Sequence, residues 1–216
     1  MLTPSIILST ATVAVIGMLV SEARLPKLEW FFKPLASICF IALALLAGAL
    51  QSSYGLWLLA GLVLCMAGDI FLIADDEKFF LLGLGSFLLG HLLYALAFLQ
   101  LPLNLGGMLW GLLPVAVLAV FSIRWLWPHV PQAMQVPVLA YIGVICTMLL
   151  MAGSTWGSSG GLFILVGAWG FAISDLSVAR NQFVKPGLGN RLWGIPLYFG
   201  SQMLLAWSAA SMIATP

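Results

Sequence analysis

Charge is what this chain has least of. Only 7% of its 216 residues are charged, 62% are hydrophobic, and the mean hydropathy is +1.12. Soluble domains carry about 25% charged residues. Eight Lys plus Arg and seven Asp plus Glu cannot cover a water-soluble fold of this length. The net charge of +1, with no basic stripe, excludes nucleic acid as a partner. Histidine is also scarce: with His91 and His129 alone, a three-histidine zinc site cannot be built, although metal ligation by carboxylates stays open. Cys39, Cys65 and Cys146 lie inside apolar runs without CxxC spacing, so they read as buried thiols rather than a disulfide framework. No P-loop or GxGxxG follows a strand, and no cofactor is expected. Gly153-Ser154 and Ser158-Ser159-Gly160-Gly161 read as turns, not as a nucleophile elbow.

What fills the chain is long apolar runs. About 20 apolar residues cross a bilayer as a helix, and charged or turn-rich punctuation leaves eight runs of that size. They cover residues 4–21, 34–50, 54–74, 79–99, 107–127, 134–152, 161–179 and 192–213. The expected fold is an all-α bundle of eight transmembrane helices forming a single transmembrane domain over residues 1–216. The first run has no Lys or Arg before it, so it reads as a retained helix rather than a secretory signal. Arg24, Lys27, Lys33, Lys78, Arg124, Arg180, Lys185 and Arg191 all fall at odd-numbered connections. Cytoplasmic loops are the Lys/Arg-rich ones, so both termini are expected on the non-cytoplasmic side. Seven tryptophans near span ends form an interfacial belt, and Gly107/Gly111, Gly157/Gly161 and Ser86/Gly90 offer close helix contacts. A faint repeat is also visible. Asp69 and Asp175 end the third and seventh runs, and Tyr94 and Tyr198 follow them by 25 and 23 residues, as a parallel four-plus-four duplication would give.

Ionisable residues inside a membrane are expensive and mark function by default. Three qualify: Asp69, His91 and Asp175. At 1.5 Å per residue, Asp69 lies about 9 Å above Asp75 and Asp175 about 7.5 Å above Arg180, which places both just beneath the cytoplasmic headgroups. His91 lies about 20 Å from Lys78, deeper in the slab. Asp75, Asp76 and Glu77 read as a solvated turn and His129 as a loop residue. Phe80, Gly83, Phe87, His91 and Tyr94 fall on one helical stripe about 80° wide, which points an aromatic and polar face toward a cavity. Tyr198 and Gln202, four apart, share a face of the last span. Lys33 stands at the mouth of the second span, before Pro34, where an ammonium can hold a phosphate. These residues point to a carboxylate pair near the headgroup layer, beside a polar, aromatic-lined cavity. Intramembrane Asp and His also build proton relays, so a proton-coupled carrier of small molecules or lipids is the rival reading.

The motifs Lys33-Pro34, Gly68-Asp69, the stripe from Phe80 to Tyr94, Gly167-Ala168, Phe171, Ser174-Asp175, Phe183, Tyr198 and Gln202-x-Leu204 together resemble the lysoplasmalogenase (YhhN-like) family, over residues 33 to 208. Leu176-Ser177-Val178-Ala179 departs from the Leu-Ala pair common in relatives. The resemblance implies a membrane hydrolase that cleaves the vinyl ether bond of lysoplasmalogen to a fatty aldehyde and glycerophosphoethanolamine or glycerophosphocholine. It implies Asp69 and Asp175 as catalytic residues. A lysophospholipid substrate would be held by Lys33, Phe87, His91, Tyr94, Tyr198 and Gln202. A multi-pass protein of a bacterial inner membrane is the expected setting.

Overall fold

The computed structural model describes residues 3–74 and 76–212; Asp75 and the end of the last predicted run, at residue 213, lie outside the described residues. Among the described residues there are eight long helices and no strand. They are α1 Pro4–Arg24, α2 Glu29–Leu46, α3 Ser53–Phe71, α4 Glu77–Phe98, α5 Leu105–Leu126, α6 Gln132–Ser154, α7 Gly161–Ala179 and α8 Leu188–Ser208. Short polar residues start several of them. Thr3, Ser52, Asp76 and Asn104 each accept a hydrogen bond from an amide of the first turn that would otherwise lack a partner. Large apolar side chains such as Trp110, Leu113 and Val136 face outward, 85%, 73% and 76% exposed. That outer face belongs in lipid rather than water.

Two helices depart most from their predicted bounds. α2 begins at Glu29, ahead of the predicted residue 34, and carries Pro34 inside it. A proline near a helix start removes one ladder hydrogen bond and leaves the rest intact. α2 also stops at Leu46, because Gly48 takes a left-handed conformation (φ 77°) that turns the chain into a short 3-10 segment. α8 is displaced upstream, from the predicted 192–213 to 188–208. Its first turn is fixed by Asn190, which is 1% exposed, whose amide donates to Asn181 Oδ1 and to the Lys185 carbonyl, and which accepts from Arg180.

Seven of the eight helices, α1 to α7, are long and apolar enough to cross a membrane; α8 is long enough but less apolar. Its position accounts for its composition. α8 packs against α1, α2, α3 and α7, so Asn190, Ser201, Gln202 and Ser208 are buried in protein rather than exposed to lipid. α5 is the opposite case: it packs on α6, and few of its residues are buried. The remaining contacts run α1 on α2, α2 on α3, α3 on α4, α4 on α6, α6 on α7 and α2 on α8.

Small residues set the closest approaches. A Cβ added at Gly61 would lie 2.5 Å from the Tyr94 ring, and one at Gly90 would lie 2.8 Å from Cys65 Sγ, so α3 and α4 meet nearly backbone to backbone. Gly107 makes the expected helix contact, against α6. Gly157 and Gly161 do not: Gly157 turns the chain at φ 89°, and Gly161 packs on its own loop at Thr155. Gly61→Val is therefore expected to destabilise the protein by about 1–3 kcal/mol through overpacking. Gly85→Val, where nothing lies within 4 Å of the added Cβ, makes the control. Thermal unfolding of both variants in detergent checks this.

Candidate active site

Seven helices contribute to one cavity of about 950 Å³. Its wall includes Glu29 and Lys33 of α2, Asp69 of α3, Phe80 and Phe87 of α4, Tyr141 of α6, Asp175 of α7, and Arg191 and Tyr198 of α8. Both predicted carboxylates thus open on the same space. α7 does not end at Ala179: it runs on through a π-helical turn, Arg180–Val184, whose Asn181, Gln182 and Phe183 also line the cavity.

Asp69 is 2% exposed. Its Oδ2 accepts hydrogen bonds from Ser37 Oγ at 2.7 Å and from Tyr198 Oη at 2.8 Å. Ser37 sits one turn after Lys33, whose charge acts on Asp69. Such a site holds a carboxylate by hydroxyl donors from two neighbouring helices.

Asp175 is half-buried, with Oδ2 3.2 Å from Tyr141 Oη, which donates to it, and 3.2 Å from His91 Nε2. The His91 ring is fully buried and stacks on Phe171 with centroids 4.0 Å apart. Its Nδ1 lies 2.7 Å from the Phe87 carbonyl, and its Nε2 has no in-line hydrogen bond among the described residues. His91 therefore stands behind Asp175 rather than on the cavity wall, and the 3.2 Å contact puts it level with Asp175 rather than deeper. The depth estimate takes the seventh helix to end at Ala179, but the π turn carries it five residues further, which puts Asp175 farther from the end of its helix.

The other predicted ligands divide. Lys33, Phe87 and Tyr198 line the cavity. Tyr94 and Gln202 do not: both are fully buried, and Tyr94 Oη donates to Gln202 Oε1 at 2.6 Å, tying α4 to α8. Lys33 is not a solvated charge either; its ammonium lies 3.9 Å from Glu29, which also pairs with Arg191. Reasoning from the chain alone missed Ser37, Tyr141, Glu29 and Arg191. For Tyr141 a signal existed. Each of the four tyrosines lies in a helix, and an unpartnered hydroxyl there is costly. All four donate to or share a hydrogen bond with a polar side chain.

These features define a class: a polytopic helical membrane protein with two carboxylates facing one internal cavity. The sequence pattern of the YhhN family matches residues 28–209, and the chain belongs to that family. It is 35% identical over 156 residues to the lysoplasmalogenase TMEM86A of Bos taurus, with 69% of this chain and 63% of the bovine protein covered. It is 37% identical over 176 residues to the lysoplasmalogenase TMEM86B of Rattus norvegicus, covering 80% and 69%. It is 29% identical over 168 residues to the lysoplasmalogenase of Mycobacterium tuberculosis, covering 74% and 59%. The chain thus spans less than two thirds of the length of the bovine relative. No solved structure matches it.

Tyr94 and Gln202 are expected to matter for stability rather than for chemistry. Tyr94→Phe leaves a buried amide oxygen unsatisfied, at a cost of about 1–3 kcal/mol. A lower unfolding temperature with unchanged ligand affinity is the expected result, checked by thermal unfolding and by titration with a lysophospholipid.

Proposed function

We propose that this chain is a membrane hydrolase that cleaves the vinyl ether bond of lysoplasmalogen, releasing a fatty aldehyde and glycerophosphoethanolamine or glycerophosphocholine. The observation that carries the reading is that Asp69 and Asp175 open on one cavity, in a chain similar to proteins named lysoplasmalogenase. The reaction needs a proton delivered to the alkenyl carbon beta to oxygen, a negative charge near the resulting oxocarbenium ion, and a base to activate water. Two carboxylates in different protonation states supply all three. Phe87, Tyr198 and the apolar wall from α5 and α6 supply a lining for the hydrocarbon chain. Lys33 and Arg191, with Glu29 between them, supply charges for a phosphate and an ammonium at the cavity wall.

Aldehyde release from lysoplasmenylethanolamine by purified protein tests the reading. Asp69→Asn and Asp175→Asn are each expected to lower kcat by about 10²-fold or more while retaining the wild-type unfolding temperature. Lys33→Ala is expected to raise KM more than it lowers kcat. Uptake of a solute into proteoliposomes without lipid turnover would instead favour a carrier.

We infer further that all eight helices span the membrane, with both termini non-cytoplasmic, and that the membrane is a bacterial inner one. The burial of α8 on several sides supports the eighth span, since a helix enclosed by others needs no apolar surface. Short connections and similarity to a YhhN protein of Escherichia coli, 26% identical over 185 residues, support the setting. In right-side-out cells, a membrane-impermeant thiol reagent is expected to label a cysteine at Ser158 but not one at Lys185. The reverse pattern would invert the topology.

A further inference from the structure

The two carboxylates stand in matching places, and one residue makes them different. The helix contacts recur on moving four helices along: α1 on α2 and α5 on α6, α2 on α3 and α6 on α7, α3 on α4 and α7 on α8, α4 on α6 and α8 on α2. The partners of the two aspartates follow the same offset. Asp69 is met by Ser37 of α2 and Tyr198 of α8, Asp175 by Tyr141 of α6 and His91 of α4. Asp69 and Asp175, Ser37 and Tyr141, and His91 and Tyr198 are 106, 104 and 107 residues apart. The sequence pairs Tyr94 with Tyr198 in its repeat, but by contact with a carboxylate the counterpart of Tyr198 is His91. Where one aspartate receives a hydroxyl, the other faces an imidazole.

That difference has a consequence for protons. A carbonyl oxygen only accepts, so at 2.7 Å from the Phe87 carbonyl the Nδ1 of His91 carries a hydrogen. In the neutral ring Nε2 is then a lone pair, and it lies 3.2 Å from Asp175 Oδ2. Two acceptors at that distance, in a pocket where the ring is fully buried, repel unless a proton lies between them. The χ2 torsion of Asp175 is soft, so its carboxylate is free to reorient toward Nε2. The other ionisable groups nearby are Tyr141 of α6, which donates to the same oxygen, Tyr198 of α8 across Phe171, Tyr94 of α4, and Cys65 of α3 against Gly90. Each carries its own hydrogen, and none is a second acceptor aimed at Nε2. Asp69, by contrast, meets two hydroxyls, Ser37 and Tyr198, each able to donate to it.

Resting on the hydrolase reading above, we propose that Asp175 and His91 share one proton and that Asp175 is the general acid, with His91 its positioning residue and Asp69 the carboxylate. Asp175 delivers the shared proton to the alkenyl carbon; a C–H bond forms, the C=C π bond breaks, and the oxocarbenium ion sits near ionised Asp69. Water adds to that ion and gives one proton to Asp69, leaving a hemiacetal. Asp69 then returns its proton to the departing glycerol oxygen as the C–O bond breaks. The hemiacetal hydroxyl gives its proton to Asp175, and the pair is reloaded with no net proton consumed.

Nitrogen NMR of 15N-histidine-labelled protein in detergent tests this, because the chain has only two histidines. Signals missing in His91→Gln belong to His91. The expected result is a protonated Nδ1 and an Nε2 signal shifted by the shared proton away from that of a free lone-pair nitrogen. The shift is lost in Asp175→Asn and kept in Asp69→Asn. A bare Nδ1, or the same behaviour in wild type and Asp175→Asn, would overturn the assignment. With lysoplasmenylethanolamine, His91→Gln is expected to lower kcat by about 10²-fold while KM holds within about twofold; an unchanged kcat would also overturn it. Failure of the wild type to release aldehyde would remove the hydrolase reading and leave the NMR result standing.

Discussion

The constraint on which this structure depends is the cost of burying polar groups among apolar helices. A polar side chain buried among apolar helices loses several kcal/mol unless another polar group answers it. Buried hydroxyls such as Ser154 and Ser174 turn to a carbonyl of their own helix, and other groups are tied in pairs that also fix helices to one another. Tyr54 with Ser208 and Tyr94 with Gln202 bind α8 to α3 and α4, while Tyr198 with Asp69 and Tyr141 with Asp175 bind neighbouring helices at the cavity wall. α8, the least apolar helix, is enclosed by four others, where its polar residues find partners.

The same rule divides framework from site. Tyr94 answers the amide oxygen of Gln202, and both side chains are sealed off from the cavity. Asp69 and Asp175 are answered by protein on Oδ2, and both reach the cavity. The π-helical turn after α7 serves that opening. It widens the helix, turns Asn181, Gln182 and Phe183 toward the cavity, and delivers the chain to the Asn190 cluster that starts α8. Irregular turns of this kind are frequent at functional sites.

Much of this was legible before any coordinates. Every run of apolar residues became a helix, because length and hydropathy are local properties. The stripe Phe80, Gly83, Phe87, His91, Tyr94 does face inward, because five residues at helical spacing fix a face whatever packs against it. Which neighbour the face meets is a tertiary property, and there the reading ran out. Tyr94 and Gln202 had the right chemistry for ligands but were taken up by each other. Ser37 reads as an ordinary helix residue, and Tyr141 signals only that its hydroxyl needs some partner; nothing local to either names a carboxylate 32 or 34 positions away. Depth failed for a similar reason: counting from charged loops assumes that helices end where charges begin, and α7 continues past Arg180.

Asymmetry gives the fold its purpose. α1 packs on α8, whereas its counterpart α5 makes no comparable contact with α4 and instead lends Leu118, Ala119, Ser122 and Leu126 to the cavity wall. On that side stands Asp175, half-buried with a histidine behind it, while Asp69 lies almost sealed on the tightly packed side beneath Lys33. In a symmetric pair of carboxylates, each held by hydroxyls, the surroundings alone would not select which one holds the proton. Replacing one hydroxyl by an imidazole, and loosening one helix, separates the two chemically and in access. An amphiphile with a charged end and a hydrocarbon end needs the same two surroundings, polar and packed at one side, apolar and open at the other.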